Sequence, residues 1–276
     1  MTRPTDTPPA MKHASCPTPD SHREHIRAGL RQGVLIGVVM AVIALPFTLN
    51  LRHGDSQAAI SAEVAVGTPA ATPRFADFGN TEAGTDVRHL ADWIADSGDA
   101  GNQGYVIVDK KGARAFAFDA QSRLQGVSAV LLGLTRGDDT APGLGSLSLK
   151  QISAEQRTTP AGRFVAQPGH DDRGDEVVWI DYASALAMHR VHPVDANEHR
   201  FERLDTPTTD DNRISYGCIN VPAAFFDQFI HPLFAQHHAV VYVLPEVKQV
   251  DQVFGSYDVA ARHAGAPAAA AGQTRT

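Results

Sequence analysis

The chain has 276 residues, of which 43% are hydrophobic and 20% charged, enough apolar content to fill the core of one or two globular domains. Lys and Arg number 24 against 31 Asp and Glu, a net charge of −7. That balance, with no basic cluster anywhere in the sequence, excludes nucleic acid as a partner, because phosphate-backbone binding rests on massed cationic side chains.

Residues 1–32 are rich in Pro, Thr, His and Arg and lack apolar periodicity, so they read as a disordered cytoplasmic tail. Gly33 to Leu49 carries no charge and would reach about 26 Å as a helix, close to the hydrocarbon thickness of a bilayer. Arg23, Arg27 and Arg31 precede it and only Arg52 follows closely. Residues 33–51 are therefore expected to form a transmembrane anchor or signal segment. The positive-inside rule then puts the following chain on the periplasmic or cell-envelope face, anchored at the inner membrane. A cleaved signal peptide competes with a retained anchor, since Ala58, Ala59 and Ala62 follow the apolar run. The same segment divides the two cysteines, Cys16 and Cys218, so they cannot pair within one chain and Cys218 becomes a lone exported thiol.

Residues 52–84, rich in Ala, Thr, Gly and Pro, read as a flexible linker. Between Asp86 and Asp96, Val87, Leu90, Trp93 and Ile94 recur at helical spacing, which predicts a short helix within 85–102 packed on the following domain. That domain is expected over 103–245. Tyr105 to Asp109 is a strand, Lys110-Lys111-Gly112 a turn, and Ala113 to Phe118 the returning strand. Further strands are predicted over 127–134, 163–166, 176–182, 186–188 and 239–244, and a helix over 222–234 with Pro222 in its first turn. Residues 246–276 read as a C-terminal tail. Many short strands with one or two short helices predict a mainly β domain, a sandwich or an open barrel.

Cys218 has two local features of a nucleophile. Gly217 permits a tight backbone and close substrate approach, and the helix starting near Pro222 directs its positive end towards an anion there. Backbone N–H groups from Tyr216 to Cys218 would also suit a tetrahedral oxyanion. Against this, most free cysteines are simply small buried hydrophobes. His189 and His192, His237 and His238, and His170 before Asp171-Asp172 reproduce no recognised metal-ligand pattern, so neither metal nor cofactor is expected. The acidic runs 171–176 and 210–211 read as solvated loops.

Ser215-Tyr216-Gly217-Cys218-Ile219-Asn220 resembles the signature of the L,D-transpeptidase (YkuD-like) catalytic domain: a histidine, a spacer, then Ser or Thr, His, Gly, Cys, a hydrophobic residue and Asn or Arg. Two more stretches fit the family's order, the Tyr105–Phe118 hairpin and Thr159-Pro160-Ala161-Gly162-Arg163-Phe164, and the resemblance covers roughly 103–245. It implies an L,D-transpeptidase-type β fold and a cysteine acyltransferase that remodels or cross-links peptidoglycan stem peptides through a Cys218 thioester. The family's second histidine is Tyr216 here. For the base, 25 residues separate His189 from Ser215 and 15 separate His199 from it. The shorter spacer fits the family, but His189 ends the apolar run Leu186-Ala187-Met188, the setting the family gives its base, and is preferred; His199 is the alternative. Ser215, Tyr216, Gly217, Asn220 and Arg213 are expected to line the oxyanion or position the substrate, Arg213 by pairing with a stem-peptide carboxylate. Two other readings remain open on the residues alone: a peptidoglycan-editing hydrolase, with water as acceptor, and a non-catalytic wall-binding module.

Overall fold

The computed structural model of the protein describes residues 72–193, 195–235 and 238–264. The expected tail, the 33–51 segment, Cys16 and most of the 52–84 linker lie outside these residues. The membrane-spanning expectation is corrected: among the described residues no helix is long and apolar enough to cross a membrane. The longest, α1 (Thr85–Ser97), reaches only about 20 Å and is apolar on one face alone.

Among the described residues ten strands are formed: β1 (Tyr105–Asp109), β2 (Arg114–Phe118), β3 (Leu124–Ala129), β4 (Leu132–Gly133), β5 (Gly162–His170), β6 (Glu176–Asp181), β7 (Leu186–Arg190), β8 (Arg213–Ser215), β9 (Ile219–Val221) and β10 (Ala239–Val243). Eight of them form one mixed sheet in the order β3-β2-β1-β10-β5-β6-β7-β9, and β4 pairs with β8 beside it. The run Tyr-Val-Ile-Val in β1 is buried on both faces, which fits a central strand. It lies antiparallel to β2 and parallel to β10. Leu131, just beyond the β3 edge, exchanges backbone hydrogen bonds of 2.8 and 2.9 Å with Asn220 in β9 at the opposite edge. The sheet therefore curls until it nearly closes, the mainly β open barrel expected.

Side-chain alternation along β1 and β10 creates two cores. Val106, Val108, Val241 and Val243 point inside the curl, where they meet Met188, Ile219 and Val221. Tyr105, Ile107 and Tyr242 point the other way, under Val87, Leu90, Ala91 and Ile94 of α1. Gly98 ends α1 in the left-handed conformation (φ +70°), where its N–H satisfies the Ile94 carbonyl. The inner core is sealed by α3 (Ala223–Phe225), a π-helical stretch Phe226–Ile230 and α4 (His231–Phe234), which bury Phe225, Phe226, Ile230 and Phe234. Pro232 has no N–H to extend the α-helical ladder, and the widened turn falls just before it.

Three boundaries differ from the sequence reading. The strand expected over 127–134 is two pieces, because residues 130 and 131 turn to meet neighbouring strands. β5 runs on to His170, where it forms a long hairpin with β6. The expected tail from 246 contains α5 (Val250–Phe254) and α6 (Val259–Ala264), and starts with Glu246, whose side chain is only 2% exposed.

Candidate active site

Cys218 sits in the turn between β8 and β9, and its neighbours explain why the turn holds its shape. Ser215 Oγ accepts from the Gly217 N–H (3.1 Å) and donates to the Cys218 carbonyl (2.6 Å). Gly217 adopts φ +133°, and a Cβ there would lie 2.9 Å from the Thr158 carbonyl oxygen, so only glycine suits the position. The Gly217 carbonyl accepts from Thr159 Oγ1 (2.7 Å), which itself accepts from the Gly133 N–H (2.8 Å). The Thr159-Pro160-Ala161-Gly162 turn thus clamps the cysteine loop through a hydroxyl with no exposed surface.

Behind the clamp lies a buried ionic network. Lys110 Nζ donates to the Thr159 carbonyl (2.9 Å) and to Asp138 Oδ1 (2.8 Å). Asp138 also accepts from the N–H groups of Glu246, Val247 and Lys248. Burial alone would raise the Asp138 carboxyl, but Lys110 and these three donors hold it at about 2. Arg213 completes the network, pairing with Glu246 at 2.6 Å and donating to the Lys110 carbonyl. The expectation for Arg213 is therefore corrected: its charge is neutralised behind the loop, where it cannot meet a substrate carboxylate.

The reactive face is a cavity of about 260 Å³ lined by Leu149, Asp171, Asp172, Arg173, His189, His192, Arg200, Ser215, Tyr216, Cys218 and Asn220. His189 reaches it from the end of β7, which runs parallel to β9 with His189 opposite Asn220. His189 Nδ1 lies 2.8 Å from the Arg190 carbonyl oxygen and so carries the proton, leaving Nε2 as the acceptor. Nε2 is 3.5 Å from Asn220 Nδ2. In this resting arrangement the Cys218 thiol donates to the Ala185 carbonyl at 3.5 Å. Burial pushes the thiol above its ordinary value, opposed by the Ala187 N–H and by Arg200. Burial also pushes His189 down, against the pull of its hydrogen bond to Arg190. Both shifts favour the uncharged forms, a thiol and an imidazole whose side chains line the same cavity.

His199 is not brought to this cavity. The 3₁₀ turn Ala196–Glu198 ends with His199 in the left-handed conformation (φ +48°), its exposed ring 3.9 Å from Glu202. The same turn sends the next residue inward: Arg200, first of α2 (Arg200–Asp205), is buried and donates to Glu198 (2.6 Å) and Asn220 Oδ1 (2.7 Å). Tyr216 forms part of the cavity wall, with the Arg157 guanidinium 4.0 Å over its ring. Arg200, Asp171 and Asp172 were missed as site residues. All three fall in polar runs with no signal separating them from solvated loops. Among the described residues no cluster of His, Cys, Asp or Glu is arranged to hold a metal ion.

No protein-family model and no curated protein sequence matches the chain. Solved structures similar to it include the helical cell shape determining protein Pgp2 from Campylobacter jejuni, 15% identical over 60% of each chain with a TM-score of 0.34. An L,D-transpeptidase from Xylanimonas cellulosilytica is 14% identical over 63% of this chain and 99% of that one, with a TM-score of 0.33. An Enterococcus faecium L,D-transpeptidase mutant is 16% identical over 51% of this chain and 50% of that one, at 0.28. The chain spans about three-fifths of the Campylobacter chain and half of the Enterococcus chain.

Proposed function

We propose that the domain is a cysteine acyltransferase of the L,D-transpeptidase type, acting on peptidoglycan stem peptides at the envelope face of the cell. One observation carries this reading: the Nδ1–H of His189 is spent on the Arg190 carbonyl, so Nε2 is the proton-accepting nitrogen of a ring that lines the same cavity as Cys218. The sequence resemblance at 215–220 and 159–164 supports it. On this reading Nε2 takes the thiol proton as Sγ attacks a stem-peptide carbonyl carbon. The C–N bond breaks, the amine leaves with the proton that His189 held, and a Cys218 thioester remains. An acceptor amine then attacks the thioester, forming a new amide and regenerating the thiol. The Gly217 N–H is taken by Ser215 Oγ, so the backbone N–H groups of Tyr216 and Cys218 would stabilise the oxyanion, a role that requires the fixed geometry Thr159 and Ser215 provide.

The test uses tetrapeptide-stem fragments and intact-protein mass spectrometry. Wild-type protein should gain the mass of the stem less its terminal residue, and Cys218→Ala should gain nothing. Product masses with and without an added amine separate transfer from hydrolysis. Full turnover by Cys218→Ala would eliminate the mechanism.

A further inference from the structure

Arg200 has an unusual position among the charged residues of the cavity. Its side chain is only 7% exposed, and the exposed part lines the cavity shared with Cys218 and His189. Two of its three nitrogens are committed: Nε to Glu198 Oε2 at 2.6 Å and Nη1 to Asn220 Oδ1 at 2.7 Å. Nη2 has no partner among the described residues. Nη2 is not among the buried unpartnered side-chain atoms, so it keeps accessible surface and is the nitrogen left for a ligand. Its orientation is also fixed. Asn220 Oδ1 accepts from Arg200, so the amide nitrogen of Asn220 is turned towards the Cys218 carbonyl (3.2 Å) and His189 Nε2.

These features describe a donor fork held rigid from behind: Glu198 offsets part of its charge, but unlike Arg213 it lines the cavity and keeps one nitrogen for a ligand there. We infer that Arg200 is a substrate-binding residue whose Nη2 receives a carboxylate of the peptide attacked by Cys218. The cavity is small, so the carboxylate and the scissile carbonyl must lie close together in the substrate. A planar fork suits this ligand better than an ammonium would. Asp171 and Asp172 in the β5–β6 turn also line the cavity and disfavour an anion beside them, while Arg173 next to them is a second cation that the Arg200 variants below discriminate against.

The inference deepens the acyltransferase reading and rests on it, but its test needs no turnover. Full-chain Cys218→Ala protein is titrated by calorimetry with a tetrapeptide-stem fragment and with the same fragment as its C-terminal amide. The free acid should bind about 10- to 100-fold more tightly, the range a charge-assisted hydrogen bond supplies. Adding Arg200→Met should bring the ratio near one, and Arg200→Lys should leave an intermediate ratio. Equal affinity for acid and amide, no measurable binding of either, or a ratio that survives Arg200→Met would each overturn the inference. Acylation of wild-type Cys218 by acid and amide alike would retain the nucleophile while rejecting this role for Arg200.

Discussion

Thr159→Val removes one hydroxyl and almost no volume, and it isolates the clamp on the cysteine loop. The hydroxyl bridges the Gly133 N–H and the Gly217 carbonyl, and all three residues are buried. Valine would leave a donor and an acceptor unsatisfied without making a cavity. At about 1–3 kcal/mol for each of the two stranded groups, the expected loss is about 2–6 kcal/mol. That is a large share of the roughly 5–15 kcal/mol by which a domain is stable. With a urea m-value of about 1–3 kcal/mol/M, the midpoint should fall by at least about 0.7 M. Thr159→Ser keeps both hydrogen bonds and loses one methyl, costing about 1 kcal/mol. Urea melts followed by tryptophan fluorescence give the midpoints, and iodoacetamide labelling of Cys218 in native buffer reads the loop itself. If Thr159→Val falls within about 0.5 kcal/mol of wild type, or Thr159→Ser is destabilised as much, the clamp is not what fixes the turn.

Two further outcomes follow from protonation. Asp138, at about 2 against an ordinary 3.8, is depressed on folding, so its contribution is complete above the ordinary value and is lost as pH falls towards 2. Allowing for solvent screening, Asp138→Asn should cost about 1–2 kcal/mol at pH 7 and flatten the acid limb of thermal melts between pH 5 and 2. An unchanged acid limb would rule out the Lys110–Asp138 pair as its source. For Cys218, burial raises the thiol above its ordinary 9.0 and lowers His189, so labelling by iodoacetamide should still be accelerating at pH 9. A flat labelling rate from pH 5 to 8 would instead report a preformed thiolate–imidazolium pair.

Much of the fold could be read from continuous apolar runs and from helical spacing. β1, β2, β6 and β10 are runs of β-branched and aromatic residues long enough to show a period, and α1 shows helical spacing over three turns. β8 and β9, the strands that hold the cysteine, have three residues each, too few for any period to register. Arg213 was misjudged because it is close to Cys218 in sequence, while β8 directs it to the opposite side of the loop from the cavity. Its partner Glu246 comes from the stretch expected to be a tail, and its burial depends on Lys110 and Arg213, more than 30 positions away. Arg200 was hidden for a related reason. Within Asp195-Ala196-Asn197-Glu198-His199-Arg200, composition cannot show which of the neighbours His199 and Arg200 the left-handed turn sends inward.

The pairing of β7 with β9 bears on how this site can change over evolutionary time. His189 faces Asn220 because two backbones are in register, and that register moves only in whole residues, each step exchanging the faces. Insertions between the two strands can lengthen the crossover without altering the step count at either end. The distance between the strand carrying the histidine and the strand following the cysteine is thereby insulated from the length of chain joining them. A spacer that looks too long in sequence is then neutral for the ladder and leaves room for new side chains over the cavity, as it does for Arg200.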